Sequence, residues 1–298
     1  MLIASTGCHA PVFAGNSMQK IREKAMAGVS ASGRTVQAEI TYFKSSFGKP
    51  SFGAVNNAET EKRLMTIHDA SSWRSPPTLE REGIALVPFQ SAVKDFNDRD
   101  QVQRIYGNEL AELIRSATGA KYAFGFGIAF PRYSQRYSEA PPGGRPAPLA
   151  HVDVTPLTAP GIGLNRAYTC APEVLKPGQR LVGYNVWRVL SEPPHDIPLA
   201  VCDQQTVDWS DLVEADGVYG RGESEWRSEA YLVRHNPAHR WIYFSGMTPG
   251  DAMIFRSYES NEAGYPGAPH AAFTDPSCPE SAPGRISVEA RVYVIFDE

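Results

Sequence analysis

Four cysteines in 298 residues, Cys8, Cys170, Cys202 and Cys278, form no CxxC pair and no regular spacing. They read as reduced thiols, as in a cytoplasmic protein, rather than as a disulfide framework. No apolar run approaches the roughly 20 residues that span a bilayer, so no membrane partner is expected. The opening MLIASTGCHAPVFAGNS lacks a basic start followed by a long apolar stretch and does not read as a secretory signal. Positive charge is also scarce, with 29 Lys and Arg against 33 Asp and Glu and a formal net charge of −4. Such a chain offers nucleic acid no basic footprint. Walker A, HExxH and GxSxG motifs are missing. GFGIA at 125–129 is a mere fragment of a dinucleotide fingerprint inside a strand pattern.

What is present is ordinary globular composition, 42% hydrophobic and 21% charged, enough to bury a sizeable core. TVQAEITYF (35–43) alternates, with Val36, Ala38, Ile40 and Tyr42 on one face, and IALVPF (84–89) is a short apolar run; both predict strands. One helix is strongly written. Between Asp98 and Thr118 the residues Val102, Ile105, Tyr106, Leu110, Leu113, Ile114 and Ala117 recur at steps of three and four, with Asn97 or Asp98 as cap and Gly119 as stop. KYAFGFGIAF (121–130) predicts another strand, and SEAPPGGRPAPLA (138–150) a loop.

Past residue 150 helical periodicity nearly vanishes. LVGYNVWRVL (181–190), LAVCD (199–203), RWIYFSG (240–246), GDAMIFRS (250–257) and GRISVEARVYVIF (284–296) predict strands separated by Pro/Gly turns. This is the pattern of a mainly β protein with flanking helices and a double-stranded β-helix (jelly roll, cupin-like) core. The expected organisation is a loosely ordered N-terminal arm over 1–34 and a single domain over 35–298. Helical support comes from 95–119, and the jelly-roll core lies mainly in 121–298.

The chemistry is concentrated in LAHVDVTP (149–156). If HVDVT is a strand, His151 and Asp153 project from one face. An imidazole beside a carboxylate is two thirds of a facial metal site, completed by one more histidine. About one His-x-acid match is expected by chance with seven histidines and 33 acids, so context has to carry the signal. The third ligand is sought among His195, His235, His239 and His270. His195 sits in EPPHDIP, a proline-bounded turn that predicts exposure. His235 and His239 have helical ligand spacing, but Pro237 breaks a helix there, so both read as surface loop. His270 follows a strand and precedes GRISVEARVYV, in which Arg285, Ser287, Glu289 and Arg291 share one face. A guanidinium about 15 residues beyond a metal histidine suits a dicarboxylate whose 2-oxo acid end meets the metal. Those arginines select His270.

Other residues are weaker candidates. Arg188 in NVWRV shares a face with Tyr184 and Val186, opposite Asn185 and Trp187, and which face is core stays open. It reads equally as a carboxylate binder or a surface ion pair. Thr155 could support Asp153. Asp203 reads as a turn residue, and Trp241 and Tyr243 as core.

His151-x-Asp153, His270 and Arg285 resemble the HxD…H…R pattern of Fe(II)/2-oxoglutarate dioxygenases. The segments EITYF, REGIALVPFQSAVKDFNDRDQVQRIYGNEL, ATGAKYAFGFGIAFPR, HVDVT, YNVWRVLSEPPHDIPLAVCD, WIYFSGMTPGDAMIFRSYES, PHAAFTDP and GRISVEARVYV resemble the AsaB-like/CmcJ-like hydroxylase and desaturase family. The resemblance implies Fe(II) on His151, Asp153 and His270, with 2-oxoglutarate and O2 as cosubstrates. Arg285, Arg188 and Arg291 are the candidates for the 2-oxoglutarate tail. Arg285 is favoured because it lies 15 residues from His270, against 21 for Arg291. The implied reaction is hydroxylation, desaturation or oxidative ring closure of a small secondary-metabolite or amino-acid-like molecule. Two other readings stay open: an iron oxygenase that draws its electrons from the substrate, and a catalytically silent jelly-roll binding protein. Iron-dependent succinate release separates them. Nothing in the sequence states an oligomeric state.

Overall fold

Val102, Tyr106, Leu110 and Ile114 repeat every four residues, and this stripe is the buried face of α1 (Arg99–Thr118). The Asp98 side chain accepts the Gln101 N–H at 3.0 Å to start the helix. Gly119, at φ +70°, ends it in the left-handed conformation that glycine tolerates. Four such buried side chains stabilise the docked helix by roughly 1.5–3 kcal/mol each.

The computed structural model describes residues 33–126, 130–141, 144–163, 179–219, 222, 225–261 and 267–296. The expected arm over 1–34 lies, apart from Gly33 and Arg34, outside these residues. In chain order the strands are β1 (Thr35–Ser46), β2 (Ser51–Gly53), β3 (Ala58–Asp69), β4 (Ile84–Pro88), β5 (Tyr122–Phe126), β6 (Arg132–Tyr133), β7 (His151–Val152) and β8 (Arg180–Val189). They continue with β9 (Leu199–Cys202), β10 (Leu212–Tyr219), β11 (Trp226–Val233), β12 (Trp241–Tyr243), β13 (Asp251–Glu259), β14 (His270–Ala272) and β15 (Ile286–Phe296). Nine of them form one sheet, ordered β1-β3-β12-β9-β14-β7-β11-β10-β2. The second sheet runs β4-β13-β8-β15-β5, with β6 against β15.

Alternation decides what lies between the sheets. Trp187, Val189, Met253 and Phe255 of the smaller sheet meet Leu199, Val201 and Ile242 of the larger one in a shared buried layer. Tyr184, Val186, Ile254, Val288 and Val292 point the other way, onto α1. Ala200, Cys202, Trp241 and Tyr243 leave the layer and pack with Ile40, Tyr42 and Ile67. This is the jelly-roll core, two sheets with a shared apolar layer between them and a helix outside. Among the described residues no helix is long and apolar enough to cross a membrane.

Several local expectations are corrected. HVDVT is a strand only at His151–Val152, and Asp153 sits in a bend just beyond it. His195 is buried, its Nε2 3.0 Å from the Met247 carbonyl, because its turn folds inward. His239 is buried as well, between the Tyr42 hydroxyl and Asp211 Oδ2. Asp203 is a buried N-cap paired with Arg240. Thr155 donates to Glu229 Oε1 at 2.8 Å rather than to Asp153.

Candidate metal centre

The two histidines meet because their strands pair. His151 on β7 and His270 on β14 are direct antiparallel partners in the larger sheet. Their ring centroids are 4.3 Å apart. His151 Nδ1 lies 2.7 Å from the Leu149 carbonyl and His270 Nδ1 lies 3.4 Å from the Ala268 carbonyl. A carbonyl only accepts, so each ring keeps its proton on Nδ1 and presents the Nε2 lone pair. Asp153 completes the group, with Oδ1 3.7 Å from His151 Nε2 and Oδ2 3.6 Å from His270 Nε2. One ligand atom from each of the three lies within 4.8 Å of the others.

Electrostatics favour the ligand forms. Burial, with the neighbouring His270 ring, brings His151 down to about 4, and burial lowers His270 too. Both imidazoles are therefore neutral at pH 7. Burial alone would raise Asp153, but Arg291 and the two rings outweigh it and hold the carboxyl below its ordinary range. Two neutral imidazoles and one carboxylate suit a divalent first-row ion with open positions. His270 Nε2 is buried without a hydrogen-bond partner, as expected of an atom that a metal satisfies.

The opposite wall comes from the smaller sheet. Asn185 and Arg291, direct partners across β8 and β15, both reach Asp153. Arg291 Nη2 is 2.5 Å from Oδ1, and Asn185 Nδ2 donates to Oδ2 at 2.5 Å and to Glu289 Oε1 at 2.6 Å. Burial and nearby Asp153 push Glu289 up. Arg285, just before β15, is 1% exposed. Its backbone N–H donates to Asp196 Oδ1, its guanidinium lies 5.4 Å from the Trp187 ring centroid, and its Nε has no partner. Burial, then the nearby Arg132, lowers it to about 9. Among the described residues no carboxylate comes within ion-pair distance of it.

Arg188, the third arginine considered for 2-oxoglutarate, is not brought to this group. It lies on the α1 side of β8, its guanidinium 4.7 Å from the Phe89 ring centroid and Nη2 donating to the Pro249 carbonyl at 2.7 Å. A surface cavity of about 520 Å³ beside it is lined by Lys94, Phe96 and Tyr133 and by none of His151, Asp153 and His270. Asn185 and Glu289 were missed as site residues. The alternation in NVWR and ISVEAR places them on defined faces, but only packing shows which faces look inward.

Residues 34–295 match the family model of an oxidoreductase/YMDC permease-like domain. The chain belongs to this family. Similar proteins include the alpha-ketoglutarate-dependent dioxygenase phiK of a fungal species, 30% identical over 73% of this chain and 79% of that one. The Fe(II)/2-oxoglutarate-dependent dioxygenase nvfI of Aspergillus novofumigatus is 29% identical over 76% and 81%. The hydroxylase/desaturase efuI of Hormonema carpetanum is 28% identical over 78% and 84%. A solved structure of the iron and alpha-ketoglutarate-dependent endoperoxidase NvfI superposes with a TM-score of 0.73 at 25% identity, covering 89% of this chain and 99% of that one.

Proposed function

We propose that His151 Nε2, Asp153 and His270 Nε2 hold Fe(II), and that Arg285 receives the far carboxylate of 2-oxoglutarate. The enzyme is an Fe(II)/2-oxoglutarate-dependent dioxygenase that oxidises a small molecule. The observations that carry the residue assignment are two neutral imidazoles, one buried and one partly buried, beside a carboxylate, together with a buried guanidinium, Arg285, that has no carboxylate within ion-pair distance among the described residues. When bound, the ferrous ion with 2-oxoglutarate and dioxygen supplies the oxidising power to attack an unactivated C–H bond. The chain's own residues prepare the place. The Leu149 and Ala268 carbonyls keep the imidazole protons on Nδ1. The Phe255 ring packs 4.8 Å from that of His270, and the Trp187 ring lies against the Arg285 guanidinium. The planar fork of Arg285 matches a carboxylate.

The outcome we propose is hydroxylation, desaturation or ring closure of a secondary-metabolite or amino-acid-like substrate. Relatives named hydroxylase/desaturase and endoperoxidase support this range. The free thiols of Cys202 and Cys278 support a reducing, cytoplasmic setting. The test is succinate release by the purified chain with Fe(II), 2-oxoglutarate and oxygen. His151→Ala, Asp153→Ala and His270→Ala should each abolish it. Retained turnover in His270→Ala, or product formed without 2-oxoglutarate, would overturn the assignment.

A further inference from the structure

The metal ligands do not all come with equal support from their own chain. His151 and His270 are strand residues fixed by cross-strand pairing and by hydrogen bonds to carbonyls two residues upstream. Asp153 has neither device. It lies in a bend past the end of a two-residue strand, and its carboxylate oxygens are held from the facing sheet. We propose that Asn185, itself oriented by Glu289, is a positioning residue that aims the Asp153 carboxylate at the two imidazoles.

The amide chemistry supports this role. Asn185 is fully buried and its NH2 group has two protons. One goes to Asp153 Oδ2 at 2.5 Å and the other to Glu289 Oε1 at 2.6 Å. With acceptors on both sides, the amide has one sensible orientation. The NH2 group faces the carboxylates and Oδ1 faces away, where it has no protein partner. Without Glu289 the amide would lose the acceptor that opposes rotation about its terminal torsion. Without Asn185, Asp153 would keep Arg291 on Oδ1, and Oδ2 would be free to swing from His270. The centre is thus built from two facing cross-strand pairs, His151 with His270 and Asn185 with Arg291, and Asp153 spans them. Groups that orient a metal ligand typically change affinity by about ten- to a hundredfold when removed.

The inference rests on the reading that His151, Asp153 and His270 hold the metal, so Asp153→Ala is measured alongside. The experiment is Mn(II) binding by calorimetry and the visible spectrum of bound Co(II), on full-length protein. Asn185→Leu, which keeps the branching but has no hydrogen-bonding atoms, should weaken Mn(II) about ten- to a hundredfold and shift the Co(II) bands. Glu289→Leu should weaken it several-fold, whereas Glu289→Gln keeps an acceptor for Asn185 and should bind within about twofold of the unaltered chain. Unchanged Mn(II) affinity and Co(II) bands in Asn185→Leu would overturn the role. So would Glu289→Gln losing as much as Glu289→Leu, which would mean that charge rather than hydrogen bonding matters. Should Asn185→Leu fail to fold, the Glu289 pair decides alone. If Asp153→Ala binds Mn(II) like the unaltered chain, the underlying metal reading fails instead.

Discussion

Replacing Arg285 by methionine should give a more stable protein that no longer responds to 2-oxoglutarate. The guanidinium is 1% exposed, its Nε is unsatisfied and Arg132 is a nearby like charge. A buried charge with no carboxylate within ion-pair distance is costly, and replacing buried ionic groups by apolar ones of similar volume, as methionine is to arginine, often stabilises by about 1–4 kcal/mol. In a chain of this size each kcal/mol moves the melting temperature by roughly 2–4 °C, so the apo variant should melt at least about 2 °C higher. The cosubstrate response runs the other way. A ligand at a hundred times its Kd stabilises the native state by about 2.7 kcal/mol, and Arg285→Met should forfeit nearly all of that. Arg285→Lys, which keeps the charge but not the fork, should raise KM for 2-oxoglutarate about ten- to a hundredfold, equivalent to about 1.5–3 kcal/mol, with little change in KM for substrate. Thermal melts with Mn(II), with and without 2-oxoglutarate, read both effects. A methionine variant that melts lower, or that keeps the 2-oxoglutarate shift, would refute the reasoning. A cosubstrate defect in Arg291→Lys but not in Arg285→Lys would reassign the tail to Arg291.

Acid should unfold the metal-free protein early. Burial depresses His195 and His239, so between the ordinary histidine value near 6.5 and their lower folded values the unfolded chain binds more protons than the native one. Stability is then full above about pH 6.5 and falls by up to about 1.4 kcal/mol per pH unit for each such group below it. Urea melts at pH 7.5, 6 and 5 test this, and a flat profile would contradict it. Gly267→Ala should lower both stability and Mn(II) affinity, because φ there is +74° and a Cβ would sit 2.6 Å from Val152 Cγ1, next to His151. The backbone strain alone costs roughly 1–2 kcal/mol, visible in a thermal melt. Leu110→Ala on α1 should cost about 2–5 kcal/mol in denaturant melts while leaving the metal affinity of the remaining folded protein unchanged. Arg188→Lys should leave KM for 2-oxoglutarate unchanged in steady-state assays, since that side chain faces α1 and not the metal ligands.

Local periodicity was enough for α1, with its cap and stop, and for β1, β4, β8, β13 and β15, since an amphipathic face is written in a single stretch. That His151, Asp153 and His270 come together was legible through context, the strands around them and the arginines downstream, rather than through the spacing of the pair itself. β3 was not legible. Its first seven residues, AETEKRL, are mostly charged because they form an exposed edge, and only β1 beside it makes them a strand. Burial of His195 and His239 was hidden as well, because their partners, Met247, Asp211 and Tyr42, are remote in sequence. Alternation in NVWR and RISVEAR divides each strand into two faces but cannot say which one looks inward. That was settled when α1 covered Tyr184, Val186 and Val288, leaving Asn185, Trp187, Glu289 and Arg291 to the interior. The same packing turned Arg188 towards α1 and brought Asn185 to Asp153, 32 residues earlier in the chain. A hydrogen bond across that separation depends on how two sheets stack, and stacking is a property of the whole core rather than of any one strand.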